Sequence, residues 1–359
     1  MATAAEPTLA STQWTSHISS QPPDKDGPPS KRRKLATGHC DVDSTLEGGL
    51  DYGCITCISG EAGAGAPEFT LALIASHLLA TSDHVATVID STLSFDIRRL
   101  HRRVMEVLQS RDEGTAQCKA MEALGRLKLM KIFDFIGLTE SLAEVRENVE
   151  GRAVAAASTV EPAQPTAPKG TIGDSEDEGE EMLDDVPSPS PRQQPAPQVP
   201  NAAKQLTDSV GLLIIDNITQ VTAPLLKNNY AQGQALLTSF MRSLSHLTKA
   251  NQLCTIMLNN TTTYAQAKEE PPSLFSSCTI RPALGKTFTY LLDMHLLVHA
   301  VPGTAADARA IYGGKRHEMQ KLDVAMVSVI EVLQDRSGRR VGRWAPFVVE
   351  GDGRLKDAA

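Results

Sequence analysis

Six consecutive residues, Gly211-Leu212-Leu213-Ile214-Ile215-Asp216, constrain this chain more than any other feature. Side chains alternate between the two faces of a strand, so a strand apolar at every interior position has no face for water. Such a strand is buried on both sides, and helices are the usual cover. The pattern recurs in Tyr52 to Ser59, Val85 to Asp90, Leu129 to Ile136, Cys254 to Leu258 and Leu291 to Val298. Between these runs lie segments with helical spacing of apolar residues. One carries Phe69, Leu73, Ile74 and Leu78, another Leu100, Val104 and Leu108, and a third Leu237, Phe240, Met241 and Leu244. The alternation predicts an α/β fold: a mostly parallel central sheet with helices on both faces. Val324 to Leu333 and Arg343 to Val349 flank the turn Asp335-Arg336-Ser337-Gly338 and predict a C-terminal antiparallel extension. No apolar run approaches the roughly 20 residues of a membrane span, and no membrane contact is expected.

Composition divides the chain. Residues 1–37 are rich in Pro, Ser and Thr and predict a disordered tail, with no apolar stretch of secretory type. The tail carries Lys31-Arg32-Arg33-Lys34, read as a nuclear import signal, against the plain alternative of a solvated charge run. A nuclear location follows from that reading. The folded core is expected over 38–349, with a short tail at 350–359. An insertion at 153–208 interrupts it, rich in Ala, Pro and Ser, and too poor in bulky apolar residues to offset its ordering entropy. The insertion holds ten Asp/Glu against three Lys/Arg, so most of the net charge of −8 belongs to it and the core is nearly neutral. Ser175, Ser188 and Ser190 within it are candidate phosphorylation sites, against an inert spacer. Of six cysteines only Cys54 and Cys57 are close in sequence. Three apart on a strand they face opposite ways, so no metal site is expected, and the cysteines read as reduced buried thiols.

Chemistry concentrates at the turn after the first strand. Gly60-Glu61-Ala62-Gly63-Ala64-Gly65 sits between a strand and a helix, the setting of a phosphate-binding loop. Such a loop continues with Lys and then Ser or Thr, which reach the phosphates and magnesium. This chain has Ala66 and Pro67 instead. Proline also lacks the backbone N–H that could face a phosphate. Asp216 at the end of its buried strand matches the carboxylate that holds magnesium through water in such sites. A tight strand-to-helix turn and a strand-end Asp are each common in open α/β sheets, and the two together in this order are more specific.

In these residues the chain resembles the RecA/Rad recombinase superfamily, and within it the eukaryotic, fungal-type paralogues of the short, D-type or mediator class. The carriers are Gly48-Gly49-Leu50-Asp51-Tyr52-Gly53 leading into Ser59 to Gly65, then Val88-Ile89-Asp90-Ser91-Thr92, and Leu213 to Asn217. Arg281-Pro282-Ala283-Leu284-Gly285-Lys286-Thr287-Phe288 and Asp335 to Gly338 with Gly342 to Phe347 complete it. The likeness covers most of residues 45–349 outside the insertion and implies a RecA-like core of the P-loop NTPase type. It also implies roles. Gly60, Glu61, Gly63, Gly65, Ala66 and Pro67 form the degenerate nucleotide loop, Asp216 the magnesium carboxylate, and Asn260 the position sensing the nucleotide. The glutamate that activates water in active members is matched by Thr92. Gly285-Lys286-Thr287 is not a second loop, because position 280 is Ile and a strand is expected to follow.

The resemblance implies an accessory or mediator subunit in homologous-recombination repair, a pseudo-ATPase with no catalytic residue of its own. ATP and magnesium would be held weakly through the glycine backbone. The partners implied are other recombinase paralogues and the strand-exchange recombinase, with Leu46 to Asp51 as a sheet edge that a partner could extend. Single-stranded or branched DNA would bind weakly or only within the complex. The family's DNA-contacting loops correspond to 219–232 and 261–281, neither strongly basic, and Arg98, Arg99, Arg102 and Arg103 on one helix are the better electrostatic candidate. An active DNA-dependent ATPase of the same fold and an unrelated α/β nucleotide-dependent enzyme stand as alternatives.

Overall fold

The computed structural model describes residues 33–110, 115–158, 211–263, 272–275, 277–304, 307–308, 326–351 and 353–358, with 152–158 as backbone. Its main sheet contains β3 (Cys54–Gly60), β4 (Val85–Asp90), β5 (Leu127–Lys131), β6 (Gly211–Asp216), β7 (Cys254–Thr263) and β9 (Met294–Pro302). Further strands are β10 (Met326–Asp335), β11 (Trp344–Val349) and β12 (Leu355–Asp357). The spatial order is β12-β11-β10-β9-β3-β7-β6-β4-β5, and β8 (Ile280–Pro282) pairs with the end of β7. From β9 to β5 every pairing is parallel, while β10, β11 and β12 add antiparallel to the other side. The mixed α/β architecture expected from the alternation is therefore present, including the antiparallel extension.

Both faces of the sheet are dry. On one, Leu212, Ile214, Ile256 and Val88 pack against Phe69, Leu73 and Leu78 of α2 (Ala66–Ala80) and Leu100 and Val104 of α3 (Ile97–Ser110). α4 (Ala116–Gly125) joins that layer through Ala120 and Ala123. On the other face, Leu213, Ile215 and Ile89 meet Leu138 and Leu142 of α5 (Phe135–Ser158), and Ile218 and Val221 of α6 (Ile218–Asn228). Leu237, Phe240 and Leu244 of α7 (Tyr230–Ala250) complete that layer. Consecutive residues of β6 thus serve opposite cores, the physical meaning of its unbroken apolar run.

Several boundaries differ from expectation. Lys34 and Leu35 form β1, antiparallel to β2 (Leu50–Asp51), so order begins inside the expected tail. That pairing also fills the edge at Leu46 to Asp51 offered to a partner: Leu46 and Leu50 are fully buried, and the chain's own β1 occupies the edge. α5 runs to Ser158, past the expected start of the insertion, and β12 lies within the expected C-terminal tail. The run Leu129 to Ile136 is broken because the Asp134 carboxylate accepts the Gly137 amide at 2.8 Å and starts α5. The remainder of the insertion, with Ser175, Ser188 and Ser190, lies outside the described residues. Gly285 to Thr289 form a short helix, α8, where a strand was expected to follow.

Candidate functional site

Parallel strands all point their C-terminal ends one way, and the crevice there is where open α/β sheets hold ligands. Strand register brings the sequence-singled residues to that end. Gly60 of β3 pairs with Asn260 of β7, and Asp90 of β4 pairs with Asp216 of β6.

The glycine-rich turn has a loop-like shape and a firm mooring. Glu61 donates its amide to the Val298 carbonyl at 2.8 Å, and its carboxylate accepts the Ala300 amide at 3.0 Å. Both contacts tie the turn to β9. Ala64 donates to the Glu61 carbonyl at 3.1 Å, closing the turn on itself. Gly65, the residue before α2, has φ of 91°, and a Cβ there would lie 2.5 Å from Cγ2 of Val349. Only glycine satisfies both the left-handed backbone and that approach. A Cβ on Gly60 would lie 2.5 Å from that of Ala66, so the side chain at 66 sits over the start of the turn. Pro67 stands in the first turn of α2, where no amide partner is required.

Asp216 is half-buried, and burial, followed by the charge of Asp90, lifts its carboxyl to about 6. Asp90 is fully buried and saturated: it accepts the Thr92 amide at 3.0 Å, the Thr92 hydroxyl at 2.8 Å and the Phe95 amide at 3.1 Å. Thr92 is thereby folded back on its own strand end, its hydroxyl also 2.6 Å from that of Ser94. Asn260 is exposed and accepts from the Asn217 amide group at 2.8 Å, which places it beside the residue after Asp216.

Behind these residues runs a polar network whose members the sequence reading largely missed. Asn259 donates to Ser59 Oγ at 2.8 Å and accepts from the Thr219 hydroxyl. Thr219 also accepts the Asn260 amide at 3.0 Å, and Ser59 Oγ lies 2.8 Å from His295 Nε2. Burial drives His295 down to about 4, so it is neutral at pH 7. Ser91 both donates to and accepts from the Asn217 backbone, at 2.9 and 2.8 Å. The network links residues of β3, β7, β9 and α6. Polar residues at the last position of otherwise apolar strands were the available signal: Ser59 precedes Gly60, and Asn259 precedes Asn260.

The residue types at the loop positions differ from those of a magnesium-triphosphate site. Position 66 offers a methyl group and position 67 no donor at all. Thr92 carries no carboxylate, and Asp216 is the one acid facing the crevice from β6. Among the described residues no group of three or more His, Cys, Asp or Glu is placed to hold a metal ion. None of the described helices is long and apolar enough to cross a membrane.

Other candidates fare unevenly. Lys31 and Arg32 lie outside the described residues, and Arg33 is the first described residue, its carbonyl accepting the Tyr52 amide at 3.1 Å. Lys34 is committed to the fold, 3.2 Å from the Leu46 carbonyl and 3.6 Å from Asp51, a correction to its place in an accessible tail cluster. Residues 219–232 are α6 and the start of α7, not an extended loop, because Asn217 caps α6 and Asn229 caps α7. Most of the second expected loop lies outside the described residues. On α3, Arg99 pairs with Glu68 at 2.5 Å, and Arg103 pairs with Glu106 at 3.4 Å and donates to His39 at 3.0 Å. Arg98 and Arg102 stay exposed.

Comparison with known proteins agrees with this layout. The chain is 22% identical over 271 residues to the Mus musculus protein named "DNA repair protein RAD51 homolog 4", across 75% of this chain and 61% of that one. Its Bos taurus counterpart is 19% identical over 272 residues, covering 76% of this chain and 63% of its own length. The chain thus spans a little under two thirds of these curated relatives. A solved structure described as "Crystal structure of the RadB recombinase" superposes with a TM-score of 0.53 at 16% identity, over 90% of this chain and all of that one. No family model matches the chain. The RecA-like sheet, the glycine turn, the acid-ended neighbouring strand and these likenesses together support a place for the chain in the RecA/Rad recombinase superfamily.

Proposed function

We propose that this chain serves recombinational DNA repair as a non-hydrolysing accessory subunit, working with other recombinase paralogues and a strand-exchange recombinase in the nucleus. The observation that carries the reading is a phosphate-loop shape without its chemistry. The turn keeps its mooring, its left-handed Gly65 and its place beside Asp216, while Ala66, Pro67 and Thr92 stand where ammonium, hydroxyl and carboxylate would act. Phosphoryl transfer rests on positioning and charge stabilisation, and those three groups supply both. A fold preserved without its catalytic groups supports a role in assembly. The relatives named for DNA repair support the same pathway, and the motif resemblance supports reading this chain as a short, D-type paralogue of fungal type. Nucleotide, where bound, is held weakly by turn amides with Asp216 and Asn260 at its edge. DNA is contacted weakly or within the assembly, with Lys31 to Arg33 serving import.

Purified full-length protein is expected to release no phosphate from ATP, with or without single-stranded DNA, under conditions where an active recombinase turns over. Turnover that disappears in the Asp216→Asn variant would show a working ATPase and overturn the proposal. Tagged protein recovered from damaged cells is expected to bring recombinase paralogues with it.

A further inference from the structure

The sequence pairs Cys54 with Cys57, but the fold pairs Cys54 with Cys254. Cys57 packs in the core beneath α5 to α7, whereas Cys254 and Ile58 pack in the core beneath α2 and α3. Strand alternation puts Cys54 on the same side as Ile58. Cys54 of β3 and Cys254 of β7 are direct register partners in the parallel pair, side by side on one face. Neighbouring strands run about 4.8 Å apart, and disulfides join Cα atoms about 4.4–6.8 Å apart. The segments entering the two strands are also clamped: the Gly53 amide donates to the Leu253 carbonyl at 2.8 Å. The charge of Cys54 helps hold the Cys254 thiol in its neutral form, second to burial, which is a further sign of their closeness. Cys54 is half-buried and Cys254 fully buried, so one thiol can meet a small oxidant and the other cannot.

We infer that Cys54 and Cys254 form a peroxide-responsive dithiol that closes to a disulfide between the phosphate-loop strand and its neighbour. The chemistry runs in two balanced steps. The Cys54 thiol loses its proton and attacks a peroxide oxygen, the O–O bond breaks, Cys54 becomes a sulfenic acid, and the released hydroxide takes up that proton and leaves as water. The Cys254 sulfur then attacks the Cys54 sulfur. The S–O bond breaks, the S–S bond forms, and the Cys254 proton leaves with the hydroxyl as a second water. Two thiols are oxidised and one peroxide is reduced. Cys254 acts by proximity, since burial makes it a poor nucleophile toward anything not already beside it. The same two strands carry the register pair Gly60 and Asn260 further along, so the bond fixes the base of the pair that carries the candidate site.

The test uses the full chain with exposed Cys40 and Cys118 replaced by Ser, which removes links between molecules. Protein is titrated with hydrogen peroxide, blocked with N-ethylmaleimide and digested without reductant for mass spectrometry. The expected product is a linked pair of peptides carrying Cys54 and Cys254, with Tm raised by about 5 °C and restored by dithiothreitol. Cys254→Ala is expected to leave Cys54 as a dimedone-reactive sulfenic acid with no linked peptide. Cys54→Ser, at the half-exposed position, is expected to abolish both signals. Three results would overturn the inference: Cys54 overoxidised without a linked peptide, Cys54 joined to Cys57 or Cys278, or a linkage without any rise in Tm, which marks unfolded chains.

Discussion

At the scale of single residues, the candidate site holds two groups whose behaviour can be forecast. Ala66 lies with its methyl group over Gly60, where a lysine side chain would extend along the turn. Restoring ammonium and hydroxyl together, as A66K with P67T, is expected to tighten nucleotide binding about tenfold or more, as one or two charge-assisted hydrogen bonds would. Titration of a fluorescent ATP analogue reads this, and unchanged affinity would mean that the turn is no longer a cradle. Asp216 presents the opposite case, a charge held against its preference. Burial and Asp90 raise its folded pKa from the ordinary carboxylate value to about 6. A raised carboxylate contributes stability below its unfolded pKa and loses it as pH rises through about 6. At pH 8 the ionised Asp216 therefore strains the fold. Asp216→Asn is expected to stabilise the protein by about 1–2 kcal/mol at pH 8, after allowance for solvent screening, and by little at pH 4. Urea denaturation at the two pH values measures the difference, and an equal effect at both would remove the strain.

Elements show best what was legible in the sequence. The strands were readable because unbroken apolar runs admit few other solutions, and β6 divides its side chains between two cores as that pattern demands. The turn was readable because glycine spacing and flanking context coincide. What escaped was set by contacts between distant segments. Lys34 and Leu35 look like tail until Leu50 and Asp51 pair with them, and nothing local announces that pairing. The polar network was hidden because Ser59, Asn259, Thr219 and His295 come from four elements, and each alone is an ordinary residue. Residues 219–232 read as loop through the family resemblance, yet Asn217 and Asn229 cap two helices there, even with Pro224 inside the first. Helix ends also carry a device the sequence did not show. The Arg126 guanidinium donates to the Leu78, Thr81 and His84 carbonyls at 2.7–2.8 Å, satisfying the C-terminal end of α2 and the chain leaving it. Carbonyls at a helix end lack intrahelical partners and favour a cation. Arg126→Ala is expected to cost about 1–3 kcal/mol, seen as a lower urea midpoint at unchanged m-value. A midpoint within error of wild type would show water replacing the guanidinium without loss.

Across the whole molecule, segments near the two ends of the described chain are joined at one buried cation. Arg340, in the turn between β10 and β11, donates to Asp51 of β2 at 2.7 Å and to Asp335 at 3.0 and 3.1 Å, and also reaches the Leu46 carbonyl at 3.4 Å. All three charged residues are buried. Burial pulls the Asp335 carboxyl upward, but Arg340 and Ser337 overrule it and hold the group well below the usual carboxylate range. A buried cluster of this kind is held by its completeness: removing the guanidinium leaves Asp335 without a cation and Asp51 with only Lys34 at 3.6 Å. Arg340→Ala is therefore expected to cost about 3–5 kcal/mol. It should also loosen β1 and β2 before the central sheet, since that pair touches the sheet's antiparallel half through this cluster. The pH dependence has a definite sign. A depressed carboxylate contributes stability above its unfolded pKa of about 3.9 and loses it as pH falls toward the folded value. Wild type should therefore lose stability below about pH 4 more steeply than a variant lacking Asp335, and the two curves should run parallel above that range. Hydrogen exchange resolved by peptide separates the local claim from the global one. Residues 34–51 should lose protection in Arg340→Ala at denaturant concentrations where 254–260 remain protected. Simultaneous loss in both would show that the junction is not a separate unit, and that residues 34–51 are integral to the central sheet.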